Sequence, residues 1–184
     1  NLFVATIDQY MLFFTKKGIV VWMRVYEIPD GGKTSKVSAI NNLISIDTDD
    51  IVKAFLVTHA LKDQDYITNT YVVMVAKKGH TKKSVIEQYS RPRTNGIAAI
   101  TIKEGDELLE VKLTDCNSQI MIAAKSGKSI RFEEAKTRPM GRNASGVRGI
   151  RLKDENDEVV GMISVNDEES NVLVVSENGY GKRS

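Results

Sequence analysis

The chain has one cysteine and two histidines in 184 residues. Cys116 has no second cysteine to pair with, which excludes an internal disulfide and points to a reducing, cytoplasmic setting. His59 and His80 stand 21 residues apart with no further ligand near either, so a zinc site is not expected. No apolar run approaches the ~20 residues that span a bilayer. The opening NLFVATIDQYMLFF has neither a basic leader nor a small-residue cleavage site, so it is not expected to be a signal peptide. Net charge is also scarce, at +2. What remains is 41% hydrophobic and 27% charged, an ordinary composition in a chain long enough to bury a core.

Repetition is what the chain has in quantity. One phrase occurs four times: an apolar run, a polar turn ending in glycine, then a second run that tends to carry a cation. The copies are 10–18 (YMLFFTKKG), 71–79 (YVVMVAKKG), 119–127 (QIMIAAKSG) and 171–179 (NVLVVSENG). Short runs rich in Val and Ile suit strands buried on both faces. The turn glycines at 18, 79, 127 and 179 predict tight hairpins with positive φ, most clearly at Asn178-Gly179. A second phrase follows in three copies: KTSKVSAI at 33–40, RTNGIAAI at 93–100 and NASGVRGI at 143–150. Gly96 and Gly146 occupy a place that Lys36 takes in the first copy. An acidic turn and another apolar strand come next, at 51–57, 108–113 and 159–165. No segment has a sustained helical period, although 85–89 and 135–138 suit single helical turns.

Four strands per unit and a period near 50 residues predict an all-β, propeller-like array. The repeats fall at about 10–57, 71–113 and 119–165, with partial copies at 1–6 and 171–184. The segment 2–5 reads as the closing strand of an interrupted repeat. A closed propeller has about 4–8 blades, so three complete units describe an arc or a piece of one larger domain.

Charge is segregated in step with the repeat. Residues 77–103 hold seven cations against Glu87, and 125–153 hold nine against Glu133 and Glu134. Acidic blocks follow: Glu104, Asp106, Glu107 and Glu110, then Asp154, Glu155, Asp157 and Glu158, with an earlier one at Asp47, Asp49 and Asp50. This alternation predicts one basic and one acidic face. Alignment on the turn glycines places Lys83, Arg131 and Arg183 four residues on, where the first repeat has Trp22 and, two further, Arg24. A cation at one repeated position suits a curved phosphate track, which gives affinity without reading sequence. Lys82, Lys128 and Lys182 join that candidate track. Edge protection of exposed strands is the plainer account of the same pattern. The turn lysines Lys16, Lys17, Lys77, Lys78 and Lys125 are candidates of lower rank, since hairpin tips carry lysine for solubility.

Catalysis and metal binding have little support. The DENDE run at 154–158 lacks the spaced ligands and defined glycine of a calcium loop. GYGK at 179–182 lacks phosphate-loop spacing. No nucleophile–base–acid set is recognisable, and no cofactor is expected. Trp22, Phe13 and Phe14 read as core or blade-interface residues.

RTNGIAAITIKEGDELLEVKLT at 93–114, MGRNASGVRGIRL at 140–152 and VLVVSENGYGKRS at 172–184 closely resemble the C-terminal domain of the A-type subunit of bacterial DNA gyrase. The resemblance runs along essentially the whole chain. It implies a six-bladed β-pinwheel, in which neighbouring blades exchange strands and duplex DNA wraps around a basic perimeter. It also implies partners: the rest of that A-type subunit, together with the B-type subunit, in an A2B2 enzyme that uses ATP and Mg2+ elsewhere in the assembly. Within it, RPRTNG at 91–96 and GRNASG at 141–146 are degenerate counterparts of the family's QRRGGKG box, which makes Arg91, Arg93, Arg138 and Arg142 candidate contacts. The box itself does not occur here. Its absence leaves two members of the family open: gyrase, with the box upstream of Asn1, and the A-type subunit of topoisomerase IV. A protein-binding propeller is the alternative from outside the family.

Overall fold

In the computed structural model, the described residues are 4–29, 42–166, 169 and 171–183. Each hairpin phrase forms two antiparallel strands. They are β1 (Tyr10–Thr15) with β2 (Ile19–Arg24), β4 (Tyr71–Ala76) with β5 (His80–Val85), β8 (Gln119–Ala124) with β9 (Ser129–Glu133), and β12 (Leu173–Val175) with β13 (Gly181–Arg183). The strand after each acidic turn pairs with the other side of the first: β3 (Val52–Thr58) on β1, β7 (Leu108–Thr114) on β4, β11 (Val159–Val165) on β8. The turn glycines close each hairpin with φ of 85, 96, 85 and 82°.

The second shared phrase does not stay in its own blade. Its copy in the second repeat forms β6 (Ile97–Ala98), which pairs with β2 of the first repeat. Its copy in the third forms β10 (Val147–Arg148), which pairs with β5 of the second. The sheets therefore read β3-β1-β2-β6, β7-β4-β5-β10, β11-β8-β9 and β12-β13. The expected four strands per blade are present in the first two sheets, and the fourth strand in each is borrowed from the next repeat.

That exchange needs glycine. A Cβ on Gly79 would meet the Ile150 carbonyl oxygen at 2.8 Å, because the Gly79 carbonyl accepts hydrogen bonds from Gly149 and Ile150. The same holds one repeat earlier, where the Gly18 carbonyl accepts from Ala99 and Ile100.

Cores form between sheets. Leu12, Phe14 and Val20 pack with Val72, Met74 and Tyr89; on the other face of β4, Val73 and Val75 pack with Ile120, Ile122 and Met162. β4 is therefore buried on both faces, as its unbroken apolar run requires. Phe14 meets Tyr89 edge-on at 6.1 Å, and Trp22 Nε1 donates to the Tyr89 carbonyl at 2.9 Å, so these aromatics join the first and second repeats.

The 33–40 phrase, with Lys36, and residues Leu2 and Phe3 lie outside the described residues; Val4 and Ala5 belong to no strand. The two single helical turns are 3-10 turns, Ile86–Tyr89 and Glu134–Lys136, and a third covers Val25–Glu27. A six-residue helix, α1 (Gln64–Asn69), lies between the first two repeats. Asp63 starts it by accepting from the Asp65 and Tyr66 amides. Among the described residues no helix is long and apolar enough to cross a membrane.

Candidate nucleic-acid interface

The two ends of the strands differ in charge. At the hairpin-turn end, each acidic block folds back onto a turn. Asp50 accepts from the Lys17 amide, Asp106 from the Lys78 amide and Asp157 from the Ser126 amide, at 3.1, 2.9 and 2.9 Å. One carboxylate thus satisfies the residue before each of the first three turn glycines. Asp157 takes the most such bonds. The Lys153 amide, the Ser126 hydroxyl and the Ser126 and Glu158 amides hold its carboxyl down at about 2.

Two of the turn lysines, Lys17 and Lys77, are paired with carboxylates at the same end. Lys17 Nζ lies 2.6 Å from Asp49 and 3.5 Å from Asp47. Lys53, Glu107, Lys77 and Glu158 form a chain of ion pairs through three repeats, at 3.2, 3.6 and 3.3 Å. Their carboxylate partners raise the pKa of Lys17 and Lys77. This end is acidic and basic together, rather than a basic face.

At the other end the cations collect. Arg91 and Arg93 follow the 3-10 turn Ile86–Tyr89. Arg142 comes over from the third repeat, and Lys62 sits just ahead of α1. All four line one groove of about 690 Å³, with Glu87 as the single carboxylate among the described residues that line it. Gln64, Gln88 and Ser90 add neutral polar groups to its wall. The groove can take a polyanion: guanidinium groups bind phosphate oxygens in pairs, and three of the four cations are arginine.

The other predicted residues fall into two groups. Arg131, Arg183, Lys128, Lys182 and Arg138 are exposed. Arg131 donates through Nε to Gln119, and Lys128 Nζ donates to the Arg151 carbonyl at 2.8 Å. Arg24 is half-buried, with its guanidinium 4.5 Å from the Tyr10 ring centre and 5.9 Å from that of Tyr26.

Lys82 and Lys83 require a correction. Both are buried, at 0 and 1% exposure, and neither can reach a phosphate. Lys83 Nζ lies 3.3 Å from a Glu134 carboxylate oxygen that is buried with it. It also donates to the Glu134 carbonyl and to Cys116 Sγ, and stands 4.3 Å from the Tyr71 ring centre. Lys82 Nζ donates to the carbonyls of Ala99, Gly141 and Arg142 at 2.5, 2.9 and 2.8 Å. Burial, with the Arg142 charge nearby, pulls its pKa down to about 8.

The shared register is nonetheless real: Trp22, Lys83, Arg131 and Arg183 stand opposite Leu12, Val73, Met121 and Leu173. In the first two repeats that position reaches into the next repeat's 3-10 turn, Trp22 to Tyr89 and Lys83 to Glu134. It is a strut between blades there, and the continuous track through Lys83, Arg131 and Arg183 does not form.

Lys62 was missed because nothing in the spacing of the repeats reaches the connecting segment. The helix-start signal at Asp63 is its one local mark. The histidines lie in separate contacts, His59 with Gln9 and His80 with Lys103.

Comparison with known proteins gives a consistent result. The family model described as the DNA gyrase C-terminal domain, beta-propeller, matches residues 9–59, 70–115, 118–166 and 170–184. The chain is 37% identical over 183 residues to the DNA gyrase A subunit of Buchnera aphidicola subsp. Baizongia pistaciae, covering 100% of this chain and 21% of that protein. It is 39% identical over 184 residues to the DNA gyrase A subunit of Staphylococcus epidermidis, covering 20% of it. The chain thus spans about a fifth of the length of these relatives. Among solved structures, the C-terminal domain of DNA topoisomerase IV superposes with a TM-score of 0.82 at 25% identity, covering 96% of this chain and 53% of that one. A DNA gyrase A C-terminal domain superposes at 0.77 and 22%, covering 97% and 55%.

Proposed function

Since the chain belongs to the DNA gyrase C-terminal domain, beta-propeller family, we propose that it binds duplex DNA and bends it around its basic end. The bend lets the whole enzyme introduce negative supercoils. The observation that carries this reading is the groove of Lys62, Arg91, Arg93 and Arg142, set apart from an opposite end where lysines are already paired with carboxylates. The chain works as one domain of a cytoplasmic gyrase A subunit, which joins the gyrase B subunit in an A2B2 enzyme. ATP and Mg2+ act on other domains. The relatives at 37 and 39% identity are gyrase subunits, which favours gyrase over topoisomerase IV. The assay that separates the two is supercoiling of relaxed plasmid against decatenation.

The groove is tested by the salt dependence of binding. If its four cations neutralise four phosphates, log K against log salt falls with a slope of about −3.6, independent of sequence. Arg91→Ala with Arg93→Ala lowers affinity and flattens the slope by about 1.8. Asp154→Ala with Glu155→Ala, at the turn end, leaves both unchanged or tightens binding. A slope near zero in the unaltered protein, or an unaffected double arginine variant, overturns the reading.

A further inference from the structure

The groove is assembled from two repeats, and the arginine that crosses between them is held from below. Arg142 lies on a stretch with no regular structure, and its neighbours are tied to the second repeat at successive points. The Met140 amide donates to the Lys83 carbonyl at 2.7 Å, and the Met140 carbonyl accepts from the Ser84 hydroxyl at 2.8 Å. The Asn143 carbonyl accepts from the Thr101 hydroxyl at 2.7 Å, and the Ala144 carbonyl accepts from the Thr101 amide at 3.2 Å. Between these ties, the carbonyls of Gly141 and Arg142 itself converge on one ammonium, that of Lys82. Its third proton goes to the Ala99 carbonyl, the residue after β6.

Lys82 was expected to touch phosphate and is buried instead. Its partners are neutral carbonyls, so its charge is directed but not cancelled. We propose that Lys82 is a positioning residue for the basic groove: its three-way clasp fixes the 140–142 stretch so that Arg142 faces bound duplex. This rests on the DNA-binding reading above and adds a residue that acts without touching DNA.

The chemistry of the clasp makes it sensitive to pH. An ammonium donates three hydrogen bonds and a neutral amine two, so loss of one proton must release one of the three carbonyls. The charged group bearing on Lys82 is Arg142. Tyr89 shares the Ala99 carbonyl as an acceptor, and burial pushes its hydroxyl up to about 12. Lys82, lowered to about 8, is thus the group at this junction that changes state under mildly alkaline conditions.

The test is a double-mutant cycle in the full-length protein that carries this chain, with duplex affinity measured across salt and pH. Arg142→Ala lowers affinity and flattens the salt slope by about 0.9, as a lost phosphate contact does. Lys82→Met lowers affinity about tenfold with the slope reduced no further than Arg142→Ala reduces it, and adding it to Arg142→Ala costs nothing more. Affinity of the unaltered protein falls as pH rises through about 8, and in Lys82→Met that fall is gone. Ser84→Ala cuts the neighbouring tie without altering charge. It gives a smaller loss that also vanishes in the Arg142→Ala background, and it carries the test if Lys82→Met fails to fold. Additive losses, a Lys82→Met variant that binds like the unaltered protein, or one that keeps the pH response, each overturn the proposal. If Arg142→Ala itself has no effect, the groove reading has failed before the clasp is reached.

Discussion

The second and third repeats place a cation at the same register, Lys83 opposite Val73 and Arg131 opposite Met121, and give it opposite surroundings. In the second repeat the strand is covered by β10 and by the 3-10 turn Glu134–Lys136. Lys83 is sealed in with Glu134 at 1% exposure of both side chains. In the third, no strand among the described residues lies beyond β9 in its sheet, and Arg131 is exposed there. The first strands differ in the same way. β4 is buried on both faces, while β8 alternates, with Ile120, Ile122 and Ala124 turned into the core. A position in this array therefore takes its role from what the following repeat lays over it, more than from its own residue type.

The sharpest way to break this comparison is to remove both cations. Lys83→Ala leaves Glu134 buried without its counter-charge and should cost about 3–5 kcal/mol. Arg131→Ala should fall within about ±0.5 kcal/mol. Chemical unfolding of the two variants measures the difference; equal losses would mean that the strut is not structural.

The turn glycines give the next largest contrast. Gly79→Ala and Gly127→Ala both force a side chain into positive φ, at roughly 1–2 kcal/mol. At Gly79 the new Cβ also meets the Ile150 carbonyl, whereas at Gly127 it meets nothing within 4 Å. Thermal melting should rank Gly79→Ala clearly lower.

The smallest effect is acidic. The folded state holds Asp157 at about 2, below its ordinary value of 3.8. Its contribution is complete above about pH 4 and is lost as pH falls toward 2. Asp157→Asn should flatten the acid limb of an unfolding titration in that window and leave the neutral region's slope unchanged.

The pattern of success in reading the sequence follows from the same contrast. The strand runs, the turn glycines and the shared register were legible because they are local and periodic. Trp22 and Phe14 were legible as interface residues because an aromatic has few other uses in a strand. Lys82 and Lys83 were not. A lysine in a strand reads as exposed, and its burial here depends on carbonyls and a carboxylate supplied some 17 to 60 residues later. The turn lysines ranked low as contacts, but the ion pairs of Lys17 and Lys77 were not legible for a related reason, since their carboxylate partners arrive from the next acidic block and from the repeat after it. In the groove, Arg91, Arg93 and Arg142 came from the family resemblance. Lys62 came from neither source, because a six-residue helix is too short to show a period.

The borrowed fourth strand also sets a clock on synthesis. The first blade has three of its strands once Thr58 has been made, but its last pairing needs Ile97 and Ala98, 40 residues further along. At about 5–20 residues per second, a ribosome takes roughly 2–8 s to supply them. Throughout that interval β2 offers Ile19 and Val20 as an unpaired edge, the kind of surface that recruits a foreign strand. The second blade repeats the wait until Arg148 appears. Each nascent blade is thus finished by its successor, and the stretch of chain most exposed to mispairing moves steadily toward the C-terminus as translation proceeds.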